Sequence, residues 1–154
     1  MDDTERFVRQ AVELARGNVA RGGRPFGAVI VRDGRVIATG VNQVIETGDP
    51  TAHAELEAIR AASRALATPR LDGCVVYASG HPCPMCLGAM YLTGIGRAHY
   101  AYSNEEAEAY GLSTAPIYAD LARPPAERTL ALVASPARME GEHLYEAWRR
   151  QARS

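Results

Sequence analysis

Gly27-Ala28-Val29-Ile30-Val31-Arg32-Asp33-Gly34-Arg35-Val36-Ile37-Ala38-Thr39-Gly40-Val41 decides the fold class. Two apolar, β-branched runs flank an Asp-Gly pair, the dipeptide whose left-handed conformations suit a two-residue β-hairpin. Before this hairpin, Thr4 is read as the cap of a helix carrying Phe7, Val8, Ala11, Val12, Leu14, Ala15 and Val19 at helical spacing, ended by Arg21-Gly22-Gly23-Arg24-Pro25. After it, 46–50 reads as a loop and 52–67 as an Ala- and Leu-rich helix stopped before Pro69. A strand over 74–78, a helix over 86–93 with Gly94 as its stop, a strand over 97–102 and a short helix over 104–110 follow. The stretch 112–128, with three prolines, reads as irregular, 129–133 as a further strand and 142–152 as a final helix. This order predicts one α/β domain over 1–154, a three-layer α/β/α sandwich around a five-stranded mixed sheet.

Composition narrows the function classes. Seventeen Lys and Arg against 18 acidic residues leave a net charge of −1, which provides no field to draw in a polyanion. Nucleic acid is therefore not expected as the main partner. The one candidate basic patch, Trp148-Arg149-Arg150-Gln151-Ala152-Arg153, also reads as a helix end completing its dipole. Met1-Asp2-Asp3 opens with acids, and no apolar run approaches the roughly 18 residues of a membrane span, so neither a secretory leader nor a membrane partner is expected. Three cysteines, an odd count, argue against a disulfide framework and for reduced thiols or metal ligands in the cytoplasm.

Two clusters carry chemistry. His53-Ala54-Glu55 opens the second helix, and Pro82-Cys83-Pro84-Met85-Cys86 opens the third. Cysteines three apart at a helix start present both sulfurs from one face, and the positive end of the helix dipole favours them as thiolates. Pro82 and Pro84 restrict the approach to that helix. With His53 as a neutral imidazole, three ligands hold Zn²⁺ and leave the fourth tetrahedral corner to water, whose pKa then falls toward about 7. Glu55, too close to be idle, is assigned the proton shuttle; in a regular helix it would point away from His53, so a distorted first turn is expected. A closed structural zinc site, with His81 or Cys74 as fourth ligand, is the rival reading, and a redox role for Cys83 and Cys86 is another. Cys74 otherwise reads as a small core side chain.

On these residues the chain resembles the cytidine and deoxycytidylate deaminase superfamily, and within it the bacterial guanine deaminase branch. The resemblance is densest in 25–31, in 49–60 with its Pro-Thr-Ala-His-Ala-Glu, and in 82–89. It implies Zn²⁺ on His53, Cys83 and Cys86, and Glu55 moving protons. It further implies that Asn42 and the backbone N–H of Ala54 bind the substrate ring while Phe26 lines or stacks on it. Core packing for Phe26 and a turn-ending role for Asn42 are the plainer readings. The implied reaction is hydrolytic deamination of a free aminated base, guanine to xanthine plus ammonia, with water as co-substrate. Deamination of cytosine-type pyrimidines or aminotriazines, editing of adenosine in tRNA, and a non-catalytic zinc module are the alternatives. A homodimer with the segment 129–154 exchanged is also implied. Three departures stand out: His81 where the branch often has Glu, no acid in 111–116 where a guanine deaminase places one, and an Arg153-Ser154 end without an aromatic residue.

Overall fold

A computed structural model describes residues 1–137 and 139–153; Arg138 and Ser154, the latter part of the divergent C-terminal end, lie outside the described residues. The chain divides into two compact units, Met1–Ala122 and Arg123–Ser154.

In the first unit, helix α1 (Asp3–Ala20) leads into strands β1 (Gly27–Arg32) and β2 (Arg35–Val41). A short helix α2 (Val44–Thr47) and the longer α3 (Ala54–Leu66) precede β3 (Cys74–Gly80), α4 (Pro84–Thr93), β4 (Arg97–Tyr102), α5 (Asn104–Glu108) and α6 (Ala115–Leu121). The sheet order is β2-β1-β3-β4, with β1 antiparallel to both neighbours and β3 parallel to β4. The expected hairpin is present: Asp33 and Gly34 both take positive φ, and Ile37 is the extra residue of a bulge opposite Ile30 and Val31.

Alternation along β1 makes the three layers. Val29 and Val31 turn to one face and meet Phe7 and Ala11 of α1 together with Tyr77 of β3. Ala28 and Ile30 turn to the other, where Ala54, Ala58, Ile59 and Ala62 of α3 and Met90 of α4 close a second core with Val76 and Ala78. A strand covered on both faces is apolar throughout, as this one reads. Gly40 sets how near α3 comes. A Cβ there would lie 2.4 Å from the Ala54 carbonyl oxygen and 2.6 Å from the Ala58 nitrogen, so the bare backbone of β2 lets the helix start settle against it.

Several boundaries differ from the sequence reading. Asp2, not Thr4, caps α1 by accepting from the Glu5 N–H, because the chain ahead of Thr4 is already able to turn. Val19 is 52% exposed, whereas Asn18 occupies the buried stripe after Phe7, Ala11 and Ala15. Part of 46–50 and part of 112–128 are helical, in α2 and α6; Pro116 stands in the first turn of α6, where its missing N–H costs nothing. The sheet has four strands rather than five. In the second unit, 129–133 joins no ladder among the described residues, and Leu130, Leu132 and Val133 are 70%, 85% and 76% exposed. An apolar run becomes a strand when its backbone is paired and one face covered, and this run lacks the covered face. Among its described residues the rest of that unit holds a 3₁₀ turn (Pro125–Glu127) and helix α7 (Leu144–Ala152). No helix among the described residues is long and apolar enough to cross a membrane.

Candidate active site

The site assembles where β3 runs parallel to β4 and two helices begin. His53 is the cap of α3 rather than a member of it, with extended backbone (φ −73°, ψ 153°), while Glu55 sits in the helix's first turn. This answers the expectation of a distorted turn: the helix is regular, and the imidazole comes from the extended residue before it. The approach to His53 is held locally. Asp49 Oδ1 accepts from both the N–H and the hydroxyl of Thr51, the His53 N–H donates to the Thr51 carbonyl, and the Gln43 N–H donates to Ala52. The last bond fastens the end of β2 to the segment entering the site.

Cys83 caps α4 in the same way, with Pro84 as first helical residue, and its sulfur accepts from the Cys86 N–H at 3.5 Å. The three donor atoms form a nearly equilateral triangle. Cys83 Sγ is 3.4 Å from His53 Nδ1, Cys86 Sγ is 3.6 Å from it, and the sulfurs are 3.5 Å apart. Tetrahedral zinc with bonds of about 2.0 Å to nitrogen and 2.3 Å to sulfur requires edges of roughly 3.5–3.8 Å. The residues present fit the ion, and these three are the group among the described residues that could hold a metal ion. Neither rival fourth ligand belongs to it. Cys74 begins β3, six strand steps or about 20 Å from the strand's end, and is buried in the core. His81 turns Nδ1 to the Pro82 carbonyl at 3.0 Å, its ring between those of Tyr100 and Tyr118.

Glu55 is 95% buried, and its Oε2 lies 3.1 Å from Cys86 Sγ. Burial pushes its carboxyl above the usual carboxylate range, because the charged form loses hydration. The hydrogen bond between the two sulfurs holds Cys83 down to about 4, with His53 adding to the effect. The same pairing, with burial, drives Cys86 upward. His53 rises through its hydrogen bond to Cys83. Without a metal, then, the thiolate of the pair resides on Cys83.

Of the residues expected at the substrate, Asn42 is buried, its Oδ1 accepting from the Val44 N–H as in a turn-ending Asn and its N–H donating to the Phe26 carbonyl. Ala54 N–H belongs to the first turn of α3, whose donors have no partner within the helix. Phe26 packs on the core beneath α3 and α4, and it lines, with His81, an apolar groove of about 820 Å³ bordered by α1 and α5 that contains no zinc ligand. Two residues around the site escaped the sequence reading. The Tyr118 hydroxyl donates to the Pro82 carbonyl just ahead of Cys83, and Asn18 reaches the Asn42 carbonyl. Tyr118 lay in a stretch read as irregular. Asn18 had a signal, a polar side chain in phase with an apolar stripe.

The profile of the cytidine and deoxycytidylate deaminase zinc-binding region matches residues 1–102. Guanine deaminase of Bacillus subtilis (strain 168) is 44% identical over 148 residues, 94% of this chain and 93% of that one. The X-ray structure of guanine deaminase from Bacillus subtilis superposes with a TM-score of 0.84 at 44% identity, over 95% of this chain and 93% of the other. A guanine deaminase structure from Nitrosomonas europaea gives 0.67 at 32% identity, over 71% and 64%. The tRNA-specific adenosine deaminase of Aquifex aeolicus (strain VF5) is 40% identical over 97 residues, covering 63% of this chain and 64% of its own.

Proposed function

The chain belongs to the cytidine and deoxycytidylate deaminase family, and on that premise we propose that it hydrolyses the exocyclic amine of a free nucleobase, guanine foremost, releasing ammonia. It is a zinc-dependent deaminase, and the observation that carries the reading is the triangle of His53 Nδ1, Cys83 Sγ and Cys86 Sγ with the Glu55 carboxyl at its side. These three side chains would hold Zn²⁺, which supplies Lewis acidity that makes hydroxide available near neutral pH.

Glu55 moves the protons. Its carboxylate takes one from water as the oxygen bonds to the ring carbon bearing the amine, and gives it to the adjacent ring nitrogen. In the second half the carboxyl receives the hydroxyl proton and protonates the departing nitrogen; the carbon–nitrogen bond breaks, ammonia leaves and a carbonyl remains. For guanine the product is xanthine. A buried carboxyl with an upward-shifted pKa is suited to both halves, because it holds a proton without a large preference for giving it up. Asn42 orients the ring through Nδ2, since Oδ1 is occupied by Val44, and the Ala54 N–H donates to a ring acceptor. Phe26 forms one wall.

Full-length similarity to guanine deaminases favours guanine. One observation favours a smaller aminated ring, such as cytosine or an aminotriazine: 111–116 contains no carboxylate to receive paired N–H donors. Unpaired donors would cost about 1–3 kcal/mol each. Ammonia release from guanine, cytosine, adenine, their nucleosides and aminotriazines, measured side by side, tests the reading. Turnover of a nucleoside or of tRNA adenosine, with free bases inert, would overturn it.

The working assembly is a homodimer in which 129–154 crosses to the partner, supported by the exposed apolar side chains of that segment. The compartment is the cytoplasm, supported by zinc ligation through free thiols that an oxidising compartment would pair.

A further inference from the structure

We infer that Asn18, near the end of α1 and outside the metal-binding cluster, is a positioning residue for substrate recognition, acting through Asn42. The inference rests on the reading of Asn42 as a substrate contact. Asn18 is fully buried on the stripe that continues Phe7, Ala11 and Ala15, where packing alone calls for an apolar side chain. Its Nδ2 donates to two backbone carbonyls, Arg24 at 2.8 Å and Asn42 at 2.9 Å. Both acceptors are carbonyls, so the amide nitrogen is the atom that faces them. Its Oδ1 is buried and has no partner among the described residues. A side chain kept for packing would not leave that acceptor bare, whereas one kept for its two donors would.

The two carbonyls lie next to both candidate ring contacts. Arg24 precedes Phe26 by two residues, and Asn42 follows the last residue of β2. The Asn42 N–H donates to the Phe26 carbonyl at 3.1 Å, so the Asn18 amide holds Asn42 both directly, through its carbonyl, and through the Arg24–Phe26 backbone that takes its N–H. Asn42 is thereby fixed at three points: its N–H on Phe26, its carbonyl under Asn18, and its Oδ1 on the Val44 N–H. One group remains to meet a ligand, Nδ2. The intervening loop is shaped to the brace: the Gly23 N–H donates to the Asn18 carbonyl at 2.8 Å, and a Cβ on Gly23 would fall 2.5 Å from Asn18 Nδ2. Leu in place of Asn fills the volume with no donor, Asp offers no donor when ionised, and Ser offers one donor on a shorter arm.

The test is a double-mutant cycle on the zinc-loaded enzyme, with Asn18→Leu, Asn42→Ala and the double variant, using guanine or whichever base the substrate panel shows is turned over fastest. Asn18→Leu is expected to raise KM about tenfold with kcat within threefold and one zinc per chain retained, the pattern of lost binding rather than lost chemistry. In the double variant, kcat/KM should be no lower than in Asn42→Ala alone, because Asn18 bears on the ring through the Asn42 side chain, which that variant already lacks. Multiplied losses in the double variant, or KM within twofold of the parent in Asn18→Leu, would overturn the inference. Should Asn18→Leu not fold, Asn18→Ser gives the same readout with a smaller rise, and an unchanged KM there is equally fatal. An unaltered KM in Asn42→Ala alone would instead remove the substrate role of Asn42, which is a separate failure and visible as such.

Discussion

Glu55 Oε2 stands 3.1 Å from Cys86 Sγ, a residue 31 positions further along the chain and on a different helix. The contact brings a buried carboxyl beside the zinc-binding cluster without making it part of that cluster. A ligand and a proton carrier must be neighbours in such a site, yet distinct. The relationship separates two kinds of damage that substitutions here should cause.

Glu55→Gln keeps the side chain's size and removes its proton traffic. Turnover should fall by roughly 10²–10⁴-fold, with zinc content per chain unchanged by elemental analysis. Cys86→Ala should do the reverse of that selectivity, losing metal and activity together. If Glu55→Gln also releases zinc, the carboxyl is a ligand and its assignment as proton carrier is wrong.

Chelator-treated protein should show where the thiolate resides. With Cys83 held to about 4 and Cys86 pushed up, the first proton of the pair comes off well below the ordinary thiol value of about 8.5. Between about pH 5 and 8 the metal-free chain thus carries a thiolate at Cys83, while Cys86 stays protonated. Iodoacetamide followed by peptide mass spectrometry should find Cys83 alkylated at pH 6 and Cys86 nearly untouched, with added Zn²⁺ protecting both. Labelling that begins only above pH 8, or that strikes Cys86 first, contradicts the assignment.

Gly40→Ala tests the packing that sets the imidazole and the carboxyl in place. The added methyl would meet the backbone of Ala54 and Ala58 at 2.4 and 2.6 Å, and backbone cannot swing aside as a side-chain tip does. Overpacking of this kind costs about 1–3 kcal/mol. Melting should fall by several degrees, and kcat/KM should drop further than the stability loss explains, because the start of α3 carries His53 and Glu55. A variant with parental melting temperature and activity would mean that β2 and α3 tolerate a wider gap.

What the sequence made legible follows from how local each signal is. The hairpin was readable because Asp33 and Gly34 are a conformational choice made by two adjacent residues. The clustering of His53, Cys83 and Cys86 was readable because metal ligation restricts residue type and spacing. The relation of Glu55 to His53 was anticipated for a different reason than the true one: the caps of α3 and α4 present ligands from extended backbone, and cap geometry shifts with a single residue of helix boundary. Tyr118 and Asn18 depend on contacts with residues 36 and 24 positions away, for which sequence offers no periodic trace beyond the misplaced Asn on an apolar stripe. The strand expected over 129–133 failed for the same non-local reason. Residue type says that a strand is possible there, but a partner and a covered face decide whether it forms.

That same run leads to the prediction on assembly. Leu132 and Trp148 are 85% and 69% exposed in a unit that also presents Leu130, Val133, Leu144 and Tyr145 to solvent. So much apolar surface on a 32-residue unit is costly in water unless a partner covers it. In the exchanged dimer proposed for this chain, these side chains supply its apolar anchors. Leu132→Asp and Trp148→Asp should each weaken association by about 2 kcal/mol or more, roughly thirtyfold in Kd. Sedimentation analysis of the parent should give a dimer, and of the double variant a monomer that still binds one zinc, because the ligands lie in 1–122. A parent that sediments as a monomer at micromolar concentration would remove the dimer and with it the role given to 129–154. A dimer that survives both aspartates would locate its interface on other surfaces.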